Sequence, residues 1–208
     1  MRKRFQKKRV WLAAASALAV SLSGCSGPEA GPEQLDQAGI APYELTERET
    51  YLLQSLGMET YSQILSYRAP EGARSLDVRV YQLTPEGSWE ETDSGGISVG
   101  ETEAMLGTFT LQLQKDHVLA IHLNADGGLY SFDTSPVEPE SVMLGSQICF
   151  LRQEVPASLE GEIPVAMLAY TSANQMESLT LEDFANPEGI TGMDLVQAVT
   201  ITFSGQEL

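Results

Sequence analysis

The chain has 208 residues, 42% of them hydrophobic and 20% charged, and its 29 Asp and Glu outweigh 12 Lys and Arg to give a net charge of −17 at pH 7. So acidic a chain lacks the clustered Lys and Arg that grip phosphate backbones, which excludes nucleic acid as a partner. Two cysteines are too few for the disulfide framework of a small secreted scaffold, so stability has to come from packing.

At the N-terminus Arg2, Lys3, Arg4, Lys7, Lys8 and Arg9 precede an apolar stretch from Val10 to Leu22, the layout of an export signal. The stretch has 13 residues and contains Ser16 and Ser21. A helix needs roughly 20 apolar residues to span a bilayer, so this one is too short for a permanent anchor. It ends in Leu22-Ser23-Gly24-Cys25, which resembles the lipobox of bacterial prolipoproteins: an aliphatic residue, two small residues and a cysteine. The resemblance implies that residues 1–24 are a signal peptide cut between Gly24 and Cys25. It also implies a diacylglyceryl group on the Cys25 sulfur and a new N-terminus open to acylation. One acyl chain holds a protein only reversibly and two or more hold it stably, so the lipid on Cys25 is the expected tether to the extracytoplasmic side of the cell membrane. Cleavage leaves six basic residues against 29 acidic ones, a charge of −23. Anionic headgroups repel such a domain, which makes the covalent lipid its expected membrane contact.

Residues 25–42 follow as a Gly- and Pro-rich acidic linker without apolar periodicity. Extended, its 17 residues after Cys25 reach roughly 60 Å, and as a coil on the order of 20 Å. Residues 43–208 then read as one domain. Thr46-Glu47-Arg48-Glu49 has capping-box spacing, Leu52, Leu53 and Leu56 form a helical stripe, and Gly57 is the stop. From Tyr61 the period changes to two. The clearest strands are Leu76–Leu83, Thr108–Gln114, His117–Asn124, Val142–Arg152, Ile163–Thr171 and Val196–Phe203, with turns at Pro85–Ser88, Lys115-Asp116, Ala125–Gly128 and Leu159–Gly161. Phe109, Leu111 and Leu113 alternate with Thr108, Thr110 and Gln112, and this one wet face favours antiparallel pairing. A short helix is expected at Leu181–Ala185, capped by Thr180 and stopped by Asn186-Pro187. The pattern predicts a mainly β fold: an antiparallel β-sandwich with an N-terminal helix and a short helical insertion before the last strand.

Gly96-Ile97-Ser98-Val99-Gly100 matches the G-x-S-x-G pattern of serine hydrolases, but it falls between antiparallel strands, so Ser98 is expected in a glycine-rich loop rather than as a nucleophile. His117 and His122 lie five apart in one expected strand, which puts their rings on opposite faces and rules out a shared metal ion. Asn124 with Asp126, and Glu90, Glu91 and Asp93, are the acids closest to a calcium loop, and neither set completes one. Cys149, inside Ile148-Cys149-Phe150-Leu151, is expected as a buried inert thiol. No catalytic residue, metal or cofactor is therefore expected. The candidate ligand contact is Trp89, which follows the Pro85–Ser88 turn, with Tyr81 as its expected cross-strand neighbour. The reading is of a lipid-anchored binding or interaction module for a surface ligand or protein of unspecified chemistry. Its alternatives are a cell-wall or glycan-active hydrolase and a structural component of an envelope complex.

Overall fold

The computed structural model describes residues 35–98, 105–125, 128–138 and 142–208. Cys25, the expected signal peptide over residues 1–24 and residues 26–34 of the expected linker lie outside the described residues. In chain order the elements are β1 (Gly39–Pro42), α1 (Glu47–Ser55), β2 (Ser62–Arg68), β3 (Ser75–Leu83), β4 (Trp89–Ser98), β5 (Leu106–Leu113), β6 (Leu119–Ala125), β7 (Gly128–Asp133), β8 (Gly145–Phe150), β9 (Val155–Pro156), β10 (Glu162–Thr171) and β11 (Leu195–Ser204). Short 3-10 turns sit at Lys115–His117, Leu181–Ala185 and Pro187–Gly189.

The strands form two antiparallel sheets, in the orders β7-β6-β5-β2-β1-β9 and β4-β3-β11-β10-β8. The alternation read in the sequence decides the faces. Phe109 and Leu111 of β5 are buried, as are Leu76, Val78 and Val80 of β3, while Asp77 and Arg79 between them face outward and pair at 2.9 Å. One buried cluster draws Ile40, Leu65 and Phe109 from the first sheet and Val78, Val199 and Phe203 from the second. Tyr67 and Phe203 meet within it, ring centroids 5.9 Å apart.

Three local expectations change. The chain enters the first sheet at Gly39, inside the stretch read as linker, because Ile40 is fully buried there and Gly39–Pro42 pairs with Leu65–Arg68. The helix is thus the second element and not the first. Its capping box forms as read: the Glu49 carboxylate accepts the Thr46 N–H at 2.7 Å while Thr46 Oγ1 accepts the Glu49 N–H, and Gly57 follows with φ +69. Its leucine stripe does not pack as a stripe. No residue of α1 is buried, and Tyr51, Leu52 and Leu56 are 68%, 59% and 70% exposed.

The remaining change concerns His117. It belongs not to a strand but to the turn before β6, where Asp116 and His117 both have φ near 58. The strand-parity argument for the two histidines therefore does not apply, although they still have separate surroundings. No helix among the described residues is long and apolar enough to cross a membrane.

Candidate functional site

The largest difference between the sequence and its fold lies around α1. Beyond Pro42 the first sheet loses β1: Tyr43 N–H makes one bond to Ile64 O at 2.9 Å, and the chain then leaves for the helix. The start of β2 is therefore uncovered on that side. Opposite stands β8, the last strand of the second sheet, paired among the described residues only with β10. Between them runs an open groove of about 690 Å³ whose walls include Tyr43, Leu53, Tyr61, Ile64, Ile148 and Phe150. Gln63 crosses its base, Nε2 donating to Leu151 O.

A second groove of about 640 Å³ shares Pro42, Tyr43 and Arg152 with the first and extends to Leu35, where the described chain begins. Among the described residues, the charged ones are Glu59 and Arg152 in the first groove and Asp36, Glu44, Glu154 and the shared Arg152 in the second. Tyr43 joins groove to helix, its hydroxyl donating to Glu49 at 3.4 Å, and partial burial together with that carboxylate raises its pKa. Two hydrogen bonds from Thr46 hold Glu49 below the usual carboxylate range. The first groove thus offers aromatic and aliphatic surface, and the adjoining one brings an excess of acidic charge. That combination suits binding by shape, apolar contact and charge.

Trp89 lies elsewhere. The β3–β4 ladder shifts register between Val80 and Tyr81, so Trp89 faces Leu83 and Tyr81 faces Glu91. Both aromatic rings instead meet Phe184: Trp89 stacks on it at 5.3 Å and Tyr81 tilts against it at 5.7 Å, while Trp89 Nε1 donates to Phe184 O at 2.9 Å. One ring face and the polar handle of Trp89 are occupied within the protein. Ser98 ends β4, its Oγ accepting the Leu208 N–H at 2.8 Å. That segment is strand, not loop, because Gly95 to Ser98 pair with Ser75 to Val78, and a Cβ on Gly95 would strike the Phe132 ring.

His117 packs edge-on to Tyr170 at 4.2 Å, and its carbonyl accepts from Gln197 Nε2. Burial lowers the His117 pKa, partly opposed by Asp116, and pushes the Tyr170 hydroxyl up to about 12. Neither Tyr170 Oη nor Gln197 Oε1 has a hydrogen-bond partner among the described residues. His122 lies within β6, opposite Thr110 and Ser131. Cys149 is half-buried rather than buried, its thiol donating to Leu179 O at 2.6 Å.

The calcium candidates are committed or dispersed. Asp93 accepts from Ser135 at 3.1 Å, Glu91 lies 3.7 Å from Arg79, and Asp126 is outside the described residues. Among the described residues no three His, Cys, Asp or Glu are grouped to hold a metal ion. No protein-family model matches the chain, and no curated protein or solved structure shows significant similarity to it.

Proposed function

We propose that the protein is a lipid-anchored extracytoplasmic binding module, with its two sheets facing one another as a β-sandwich and its ligand site in the groove between α1 and β8. The sandwich rests on the single cluster fed by both sheets. The anchor rests on Leu22-Ser23-Gly24-Cys25, with the acyl chains as the strong membrane attachment. The observation that carries the binding reading is the groove itself, with Leu53 and the exposed Tyr61 in its wall and with Leu52 and Leu56 of the same leucine stripe left in solvent. Apolar surface gathered beside a concavity and rimmed by charge marks interaction sites.

Two experiments test this. Cys25→Ala should release the protein from membranes or leave an uncleaved precursor, and full membrane retention of a processed mutant would contradict the anchor. A photocrosslinking residue at Tyr61, introduced into the membrane-bound protein in cells, should form a discrete adduct that the same residue at Ser131 on β7 does not. Equal adducts at both positions, or none at Tyr61, would contradict the groove as the site.

A further inference from the structure

Among the described residues the two sheets end in four edge strands, and the sequence guards them unequally. β4 carries Glu90, Glu91 and Asp93 and is bulged against β3. β9 is two residues long and ends in Pro156. β7 ends in Asp133, and its Phe132 closes against Gly95. Charges, proline, bulges and shortness keep an edge from pairing with another chain. β8, Gly145-Ser146-Gln147-Ile148-Cys149-Phe150, has none of these and stays in regular register with β10 from Gly145↔Thr171 to Phe150↔Ala166.

The direction of its free backbone groups follows from the ladder. Leu151 N–H donates to Val165 O at 2.9 Å, which sets the phase: Gln147 and Cys149 bond to β10, and the N–H and C=O of Ser146, Ile148 and Phe150 point away from it. No hydrogen bond from another described residue reaches those groups. The same three residues line the groove with their side chains.

We propose that β8 is a docking edge for an extended cationic peptide segment, which adds antiparallel as a sixth strand of the second sheet and places alternate apolar side chains in the groove. The proposal rests on the groove being the binding site and names its occupant. An added strand lies about 4.8 Å from β8, and its residues opposite Ser146, Ile148 and Phe150 share their face, which aims them at Leu53, Tyr43 and Ile64. Backbone bonds then supply affinity and the pockets for alternate side chains supply selectivity. The cationic character follows from Glu59 in this groove and from Asp36, Glu44 and Glu154 in the adjoining one, set among the described residues against the single Arg152 that the two grooves share. A second copy of this acidic chain would set the same carboxylates against themselves, so the charge favours a basic peptide over self-pairing.

The test uses the full chain in detergent and a fluorescent acetyl-(Lys-Val)4-amide, read by anisotropy. Inward valines in an antiparallel added strand point their N–H groups at β8, so methylating the valine nitrogens leaves charge and side chains in place and should weaken binding at least about tenfold. The (Glu-Val)4 counterpart should not bind. Ser146→Pro removes one outward N–H and no bond to β10, and it should weaken (Lys-Val)4 by about tenfold with an unchanged melting temperature. Equal binding of the methylated peptide would overturn strand addition. So would failure of (Lys-Val)4 to bind a protein that still crosslinks specifically from Tyr61, a result that leaves the groove reading standing. A dimer of the unliganded chain that Ser146→Pro dissociates would assign the edge to a second copy and overturn the peptide.

Discussion

β8 has two sides with opposite fates. On the outer face of its sheet, the excursion from Ser172 to Asp194 between β10 and β11 lays Leu179, Phe184 and Ile190 over Met167, Ala169 and Ala198. Gln147 and Cys149 hold that cover down: Gln147 exchanges two bonds with the Leu179 backbone, at 2.8 and 3.2 Å, and the Cys149 thiol adds a third to Leu179 O. On the side of Ser146, Ile148 and Phe150 no comparable segment among the described residues closes the surface, and α1 stands beside it with leucines in solvent. Apolar surface covered by the chain itself, with its polar groups paired, serves stability. Apolar surface left beside free backbone groups is, on the proposed reading, the part offered to a partner.

That contrast is open to attack by mutation. Phe184→Ala removes the ring on which Trp89 and Tyr81 both rest, and should lower the unfolding free energy by about 3 kcal/mol in urea melts. Trp89→Ala, which also forfeits the indole bond to Phe184 O, should cost nearly as much, and a loss below about 0.5 kcal/mol would mean the cover is not a true core. Cys149→Ala loses one hydrogen bond at the edge of that cover and should cost about 1 kcal/mol. Leu52→Ser and Leu56→Ser should each change stability by less than about 0.5 kcal/mol, because the helix face they occupy is unpacked. A loss beyond about 1.5 kcal/mol would show that the helix is held by the domain and not offered to a partner.

pH sharpens the same contrast between interior and groove. Burial lowers the folded-state pKa of His117 below the ordinary 6.5, so the unfolded chain binds its proton more readily. Stability should then be complete above pH 6.5 and decline as pH falls below it, before the carboxylates begin to protonate. In His117→Gln that first decline should vanish, and its survival would locate the titration in another group.

The sequence makes some of this legible and hides the rest for physical reasons. The capping box at Thr46 and Glu49 and the alternation in Leu76–Leu83 and Thr108–Gln114 are local signals, and the structure realises them. β1 is four residues in a Gly- and Pro-rich context and becomes a strand only because distant Leu65–Arg68 and Val155-Pro156 flank it. β4 is polar, Trp-Glu-Glu-Thr-Asp-Ser-Gly-Gly, because its edge position exposes it, so it lacks the hydrophobic period that marks a strand. The positive φ of Asp116 and His117 displaced a histidine from the strand its neighbours suggested. The groove is written in no single segment: it arises where β2 outlasts β1 and where β8 ends its sheet, a consequence of strand order and register, which local pattern does not encode. The Leu52, Leu53 and Leu56 stripe was visible from the start, but whether it faces a core or a partner depends on that non-local arrangement.

The most direct test of the account is residue-resolved amide hydrogen exchange along β8, with and without acetyl-(Lys-Val)4-amide. Gln147 and Cys149, bonded to β10, should exchange slowly in both states, while Ile148 should exchange fast in the free protein and become protected on peptide addition. Protection of Ile148 already in the free protein, or an Ile148 amide that the bound peptide leaves unchanged, would contradict the open docking edge.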